Sequence, residues 1–196
     1  MSYSIKYIKL HGGNVMMLNT NLYESLKNTV GTNSEWLYEK YLENCNQIQE
    51  MQITAIEDLP VVDTINGYDI IKATAVMYEA GVFVAAAIVT VEGNTVILVD
   101  DAFELLNEST KAIIIAHELG HLENHHLEDG EGIISDIDKE IEADQYAASL
   151  YGYKETAKAL EELIHFYVTL IPEECIDDIK TISDIMETRI NTLLNK

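Results

Sequence analysis

The stretch that most constrains this chain is Ala112 to His121, AIIIAHELGH, where an apolar run leads directly into two histidines and a glutamate. A helix that carries AIIIA must be buried, so the polar residues following it are carried into the interior too. Burying them is costly unless each finds a partner. The spacing supplies one. His117 and His121 lie one turn apart on one helix face, where both imidazoles can hold a single metal ion. Glu118 is rotated by about 100° from His117 and stands beside such an ion rather than on it, which suits a general base.

A catalytic zinc needs a third protein ligand and an open fourth position. Downstream, Glu140-Ile141-Glu142-Ala143-Asp144 places Glu140 and Asp144 on one helix face, with Ala143 and Ala147 on or beside it. Small residues there let this helix approach the His117 helix closely. We therefore expect Glu140 as third ligand and one zinc per chain. Asp144 is expected to accept a hydrogen bond from the outer nitrogen of a ligand histidine, His117 first. Glu142 points about 200° away from Glu140 and reads as solvated; it is the alternative ligand.

The rest of the chain reads as one α+β domain over residues 1–196. Residues 1–60 form a helical segment, with helices at Leu22–Val30 and from Ser34 through EWLYEKYLENCNQIQEMQ. Residues 61–101 form a small, mainly antiparallel sheet from YDIIKATAVMY, GVFVAAAIVTV and NTVILVD, with a hairpin turn at Glu92-Gly93-Asn94. Residues 102–196 are helical. An active-site helix capped by Asn107 or Ser109 runs through His125 and His126, which read as surface residues. A glutamate helix ending near Gly152 and two C-terminal helices follow. The acid-rich loop Glu128 to Asp138, tested as a calcium loop from Asp129 to Glu140, fails, because Ile134 takes the glycine position and Ile133 a ligand position.

Acidic residues number 34 against 12 basic ones, a formal charge of −22. That field opposes phosphate, so neither nucleic acid nor an anionic membrane surface is an expected partner. The longest strongly apolar run, Gly81 to Val91, is far short of the ~20 residues of a membrane span. Cys45 and Cys175 belong to no metal or redox motif and read as reduced thiols. With no secretory signal at the N-terminus, a cytoplasmic location is expected, in a cell or a virus-infected cell.

HELGH, followed nineteen residues later by a glutamate in an ExxxD context, resembles the gluzincin metallopeptidases. Within them, TVILVDDAFELLNESTKAIIIAHELGHL and EIEADQYAASLYGY are similar to segments of the HtpX and CAAX-prenyl-protease group. SDIMETRI keeps that group's Arg-Ile as Arg189-Ile190 but has Ser183-Asp184 where its His-Pro falls. The resemblance covers about Thr95 to Leu194 and does not extend to that group's transmembrane helices. Thr95 to Ala148 also looks like the ImmA/IrrE-type regulatory metallopeptidases, with EAD where those have EAN.

The resemblance implies a zincin-like fold and hydrolysis of a peptide or protein substrate. It also implies a His or Tyr that stabilises the transition state, with His165, Tyr151, Tyr153 and Tyr167 as candidates. A further implication is substrate held along an edge strand, either Gly81–Val91 or NTVILVD. Arg189, the chain's one arginine, reads equally as a substrate contact or as an ion pair. The competing reading is an acidic interaction protein, a DNA mimic for instance, whose zinc site is structural or vestigial. A regulatory protease that cleaves a single repressor is another.

Overall fold

The computed structural model describes residues 56–72, 84–90, 92–127, 137–170 and 176–196. The helices expected before residue 55, both cysteines, and the acidic loop 128–136 lie outside the described residues. Within them the chain is α+β: a four-stranded sheet followed by four helices. The strands are β1 (Val61–Ile65), β2 (Tyr68–Lys72), β3 (Ala85–Val89) and β4 (Thr95–Val99). The helices are α1 (Glu108–Glu123), α2 (Ile137–Tyr151), α3 (Tyr153–Leu170) and α4 (Ile176–Leu194).

The spatial strand order is β1-β2-β4-β3. The two hairpins, β1–β2 and β3–β4, are antiparallel, and β2 meets β4 in parallel, so the sheet is mixed. The first hairpin turns at Asn66-Gly67, both with positive φ, the geometry that an Asn-Gly pair adopts at least cost. The second turns where expected, with the Thr90 amide donating to Asn94 at 2.8 Å and Gly93 at φ +87°. β4 is central and buried on both faces, which explains its nearly unbroken apolar run, VILV.

Asn107 caps α1: its side chain accepts from the Thr110 amide at 2.9 Å. The three isoleucines that follow point to three different neighbours. Ile115 packs with Leu119 and Leu122 against Ile70, Ile97 and Val99 of the sheet. Ile114 joins Leu160, Phe166, Ile190 and Leu193 of the C-terminal helices. Ile113 packs with Ala116 against Ala147 of α2 and Ala159 of α3. α1 is thus the axis around which sheet and helices assemble. Among the described residues no helix is long and apolar enough to cross a membrane.

Asp100, at the end of β4, is buried and accepts from the Ala102 amide at 2.8 Å. Burial lifts its carboxyl to about 8; the Ala102 hydrogen bond opposes this and the adjacent Asp101 charge adds to it. The folded chain keeps this proton up to about pH 8, whereas the unfolded chain releases it near 3.8. Stability from this group therefore declines as pH rises between those values. Asp100→Asn keeps the acceptor and removes the charge. It should be more stable than the parent in urea unfolding at pH 8, with the gain absent at pH 4. An equal effect at both pH values would contradict this account.

Candidate metal centre

α1 and α2 can cross closely because Gly120 lies against Ala143. A Cβ at position 120 would stand 2.8 Å from the Ala143 Cα and 2.9 Å from its carbonyl oxygen. Ala143 and Ala147 are fully buried in the seam. Closure at this point carries Glu140, one turn earlier on α2, up to the two histidines of α1.

There the side chains converge. The Nε2 atoms of His117 and His121 are 3.1 Å apart. Glu140 Oε2 lies 3.4 Å from His117 Nε2, and Oε1 lies 3.5 Å from His121 Nε2. A tetrahedral ion with bonds of 2.0–2.1 Å holds its ligand atoms about 3.3–3.4 Å apart. The three donors are thus spaced as one small cation requires, and together they form a group that could bind a metal ion. His121 and Glu140 are buried and His117 nearly so.

Glu118 is not one of the three donors. Its Oε2 accepts from the Ala87 amide of β3 at 2.8 Å. Burial, reinforced by the Glu140 charge, raises its pKa against the pull of His117 and the Ala87 amide. The strand it meets is terminal in the sheet. The Thr90 amide donates to Asn94 and the Asp100 amide to Val84, so even-numbered β3 residues pair with β4. Ala85, Ala87 and Val89 therefore direct their backbone groups to the other side, where no described strand pairs.

Behind the donors stands a layer of charge. His117 Nδ1 lies 2.8 Å from Asp144 Oδ1. Arg189 grips Asp144 with two donors, Nε to Oδ2 at 2.7 Å and Nη2 to Oδ1 at 2.8 Å. Its Nη1 reaches Glu140 Oε2 at 2.9 Å. Burial alone would push both carboxyls up. The Arg189 charge and the His117 contact outweigh it and hold Asp144 down to about 2 and Glu140 well below the usual carboxylate range. Burial would likewise lower His117, but Asp144 and Glu140 raise it to about 10. His121, desolvated and beside that charge, is lowered to about 3.

Of the residues singled out in the sequence, His117, Glu118, His121, Glu140 and Asp144 come together here. Arg189 joins them as a buried ion pair, not as a group open to substrate. Tyr151 does not join them: it is 43% exposed, eleven residues and about 16 Å along α2 from Glu140. Tyr153 is also exposed, and the side chain of Tyr167 lies outside the described residues. His165 lies on α3 in a groove with Glu161, Ile164, Glu187, Ile190 and Asn191, none of which belongs to the cluster.

The residue missed in the sequence is His126. α1 ends at Glu123, and His125 takes φ +58° instead of continuing the helix. His126 folds back against His121, their Nδ1 atoms 3.0 Å apart. A histidine after Asn124 at a helix end was the available signal, since both residue types tolerate the left-handed conformation. Glu142 meets His126 Nε2 at 3.0 Å and takes no part in the three-donor group. Compared with protein-family models, curated proteins and solved structures, the chain has no match.

The seam makes a direct prediction. Gly120→Ala should gain about 1 kcal/mol in helix propensity. Its new Cβ meets backbone that no rotamer change can relieve, so overpacking of about 1–3 kcal/mol should reach its upper range and win. Urea unfolding of the metal-free protein should show a net loss of stability. A variant as stable as its parent would mean the helices separate freely at this point.

Proposed function

We propose that this chain is a zinc metallopeptidase, with His117, His121 and Glu140 as the zinc ligands and Glu118 as the general base. One observation carries the reading: three donors stand at tetrahedral spacing, and a fourth, non-ligating carboxylate meets β3 along the edge that no described strand pairs. Two imidazoles and a carboxylate suit zinc, and three protein ligands leave a position free for reaction. The order of elements, sheet then HExxH helix then glutamate helix, is compatible with a zincin-like fold. The resemblance of HELGH and EIEADQYAASLYGY to gluzincin segments supports the same reading.

Bound zinc would polarise a scissile carbonyl and make water a nucleophile near neutral pH. The chain's own residues supply the rest. Glu118, made more basic by burial and by Glu140, takes the proton of the attacking water and passes it to the leaving amine. Asp144 fixes His117 with Nε2 toward the ion, and Arg189 keeps Asp144 ionised and in place. The outward groups of Ala85 and Val89 hold an extended peptide by its backbone, which brings its carbonyl beside Glu118. The substrate is then a peptide or an unfolded protein segment, read by main chain more than by side chain.

Glu118→Gln separates binding from chemistry. The variant should hold zinc within about twofold of the parent and lose at least about 100-fold in hydrolysis of an unstructured peptide. Undiminished hydrolysis would remove Glu118 from its role. A parent protein that holds zinc but cleaves neither unstructured peptides nor folded proteins would favour the acidic interaction protein with a structural zinc site.

A further inference from the structure

We propose that His126 is a positioning residue of this centre: it accepts a hydrogen bond from His121, is held from behind by Glu142, and so aims His121 at the metal. The inference rests on reading His117, His121 and Glu140 as ligands.

The local chain path brings His126 to this place. The His125 amide donates to the Leu122 carbonyl at 3.1 Å, and the His126 amide donates to the His121 carbonyl at 3.0 Å. This pair of bonds, closed around a left-handed residue, is the Schellman ending of a helix. It reverses the chain and lays the His126 ring edge-on to that of His121, the centroids 5.1 Å apart. The Lys139 ammonium donates to the His126 carbonyl at 3.4 Å and ties the turn to α2. Only 6% of the His126 side chain is exposed, so its two ring nitrogens depend on protein partners.

Proton positions follow from the geometry. His121 Nε2 faces His117 Nε2 and Glu140, and a nitrogen that binds metal carries no hydrogen. A neutral His121 therefore carries its hydrogen on Nδ1 and donates it to His126. His126 Nδ1 must then be the bare nitrogen, which leaves its hydrogen on Nε2. That atom lies 3.0 Å from Glu142 Oε2, an acceptor. Each partner fixes the tautomer of the next, and both ends of the chain agree. The two ligand histidines thus have the same kind of support at different range: His117 meets the Asp144 carboxylate directly, and His121 meets the Glu142 carboxylate through His126. Outer partners of this kind typically contribute 10–100-fold in metal affinity.

Competition against a chromophoric chelator, with zinc(II) as the probe, tests the assignment in the full chain. His126→Leu should bind zinc about 10–100-fold more weakly than the parent. His126→Asn puts an amide oxygen about where Nδ1 stood and should recover most of that loss. Glu142→Gln keeps an acceptor for His126 and should stay within a few-fold. In the zinc-loaded parent, nitrogen NMR should show His121 protonated on Nδ1 and His126 on Nε2. A residue that merely fills space would give equal losses for Leu and Asn, and that result would overturn the proposal. So would parent-like zinc affinity in His126→Leu. A parent that binds no zinc, or a His117→Ala variant that binds it as tightly, would overturn the ligand set and the role of His126 with it.

Discussion

Arg189 reaches from α4 into the seam between α1 and α2, and the charge balance of the interior turns on it. Glu118, Glu140 and Asp144 are buried within the same small volume. One guanidinium cannot neutralise three carboxylates. When all three are ionised, two negative charges remain, and a divalent cation among the donors would cancel them. Asp144 and Glu140 raise His117, and burial, reinforced by the Glu140 charge, pushes Glu118 toward its neutral form. Buried ion pairs rarely stabilise a fold more than apolar residues of the same size would.

The same arrangement ties the sheet to the centre. The Glu118 carboxylate is the point where α1 meets the outer edge of β3. A change in the edge strand is therefore felt at Glu118, and a change at Glu118 is felt at the edge. Gly120 and Ala143 play the matching part on the other side of α1, where the absence of side-chain bulk sets how near α2 can bring Glu140. The centre is held from three directions, by β3, α2 and α4, around one largely buried helix.

Much of this was legible in the sequence because it follows from local spacing. Residues four apart share a helix face, so His117 with His121 and Glu140 with Asp144 could be paired before any fold was known. AIIIA announced a buried helix, Asn107 or Ser109 its start, and Glu92-Gly93-Asn94 a hairpin. Asn66-Gly67 was an equally strong turn signal, and β1 went unread because Val61 to Ile65 is short and lies largely exposed. The parallel pairing of β2 with β4 has no local signature, because a crossover depends on what intervenes. Arg189 was identified, yet its partners lie 45 and 49 positions away, and charge alone does not choose between a substrate and Asp144. His126 escaped because helical periodicity was carried three residues too far. A left-handed histidine ends the helix and turns an outward position into an inward one.

The central claim is that the three donors hold one metal ion, and elemental analysis of protein purified without added metal or chelator tests it most directly. The account predicts one zinc per chain in the parent and in Glu142→Ala, and its loss in Glu140→Ala. A parent free of transition metal, or a Glu140→Ala variant that keeps its full complement, would contradict it.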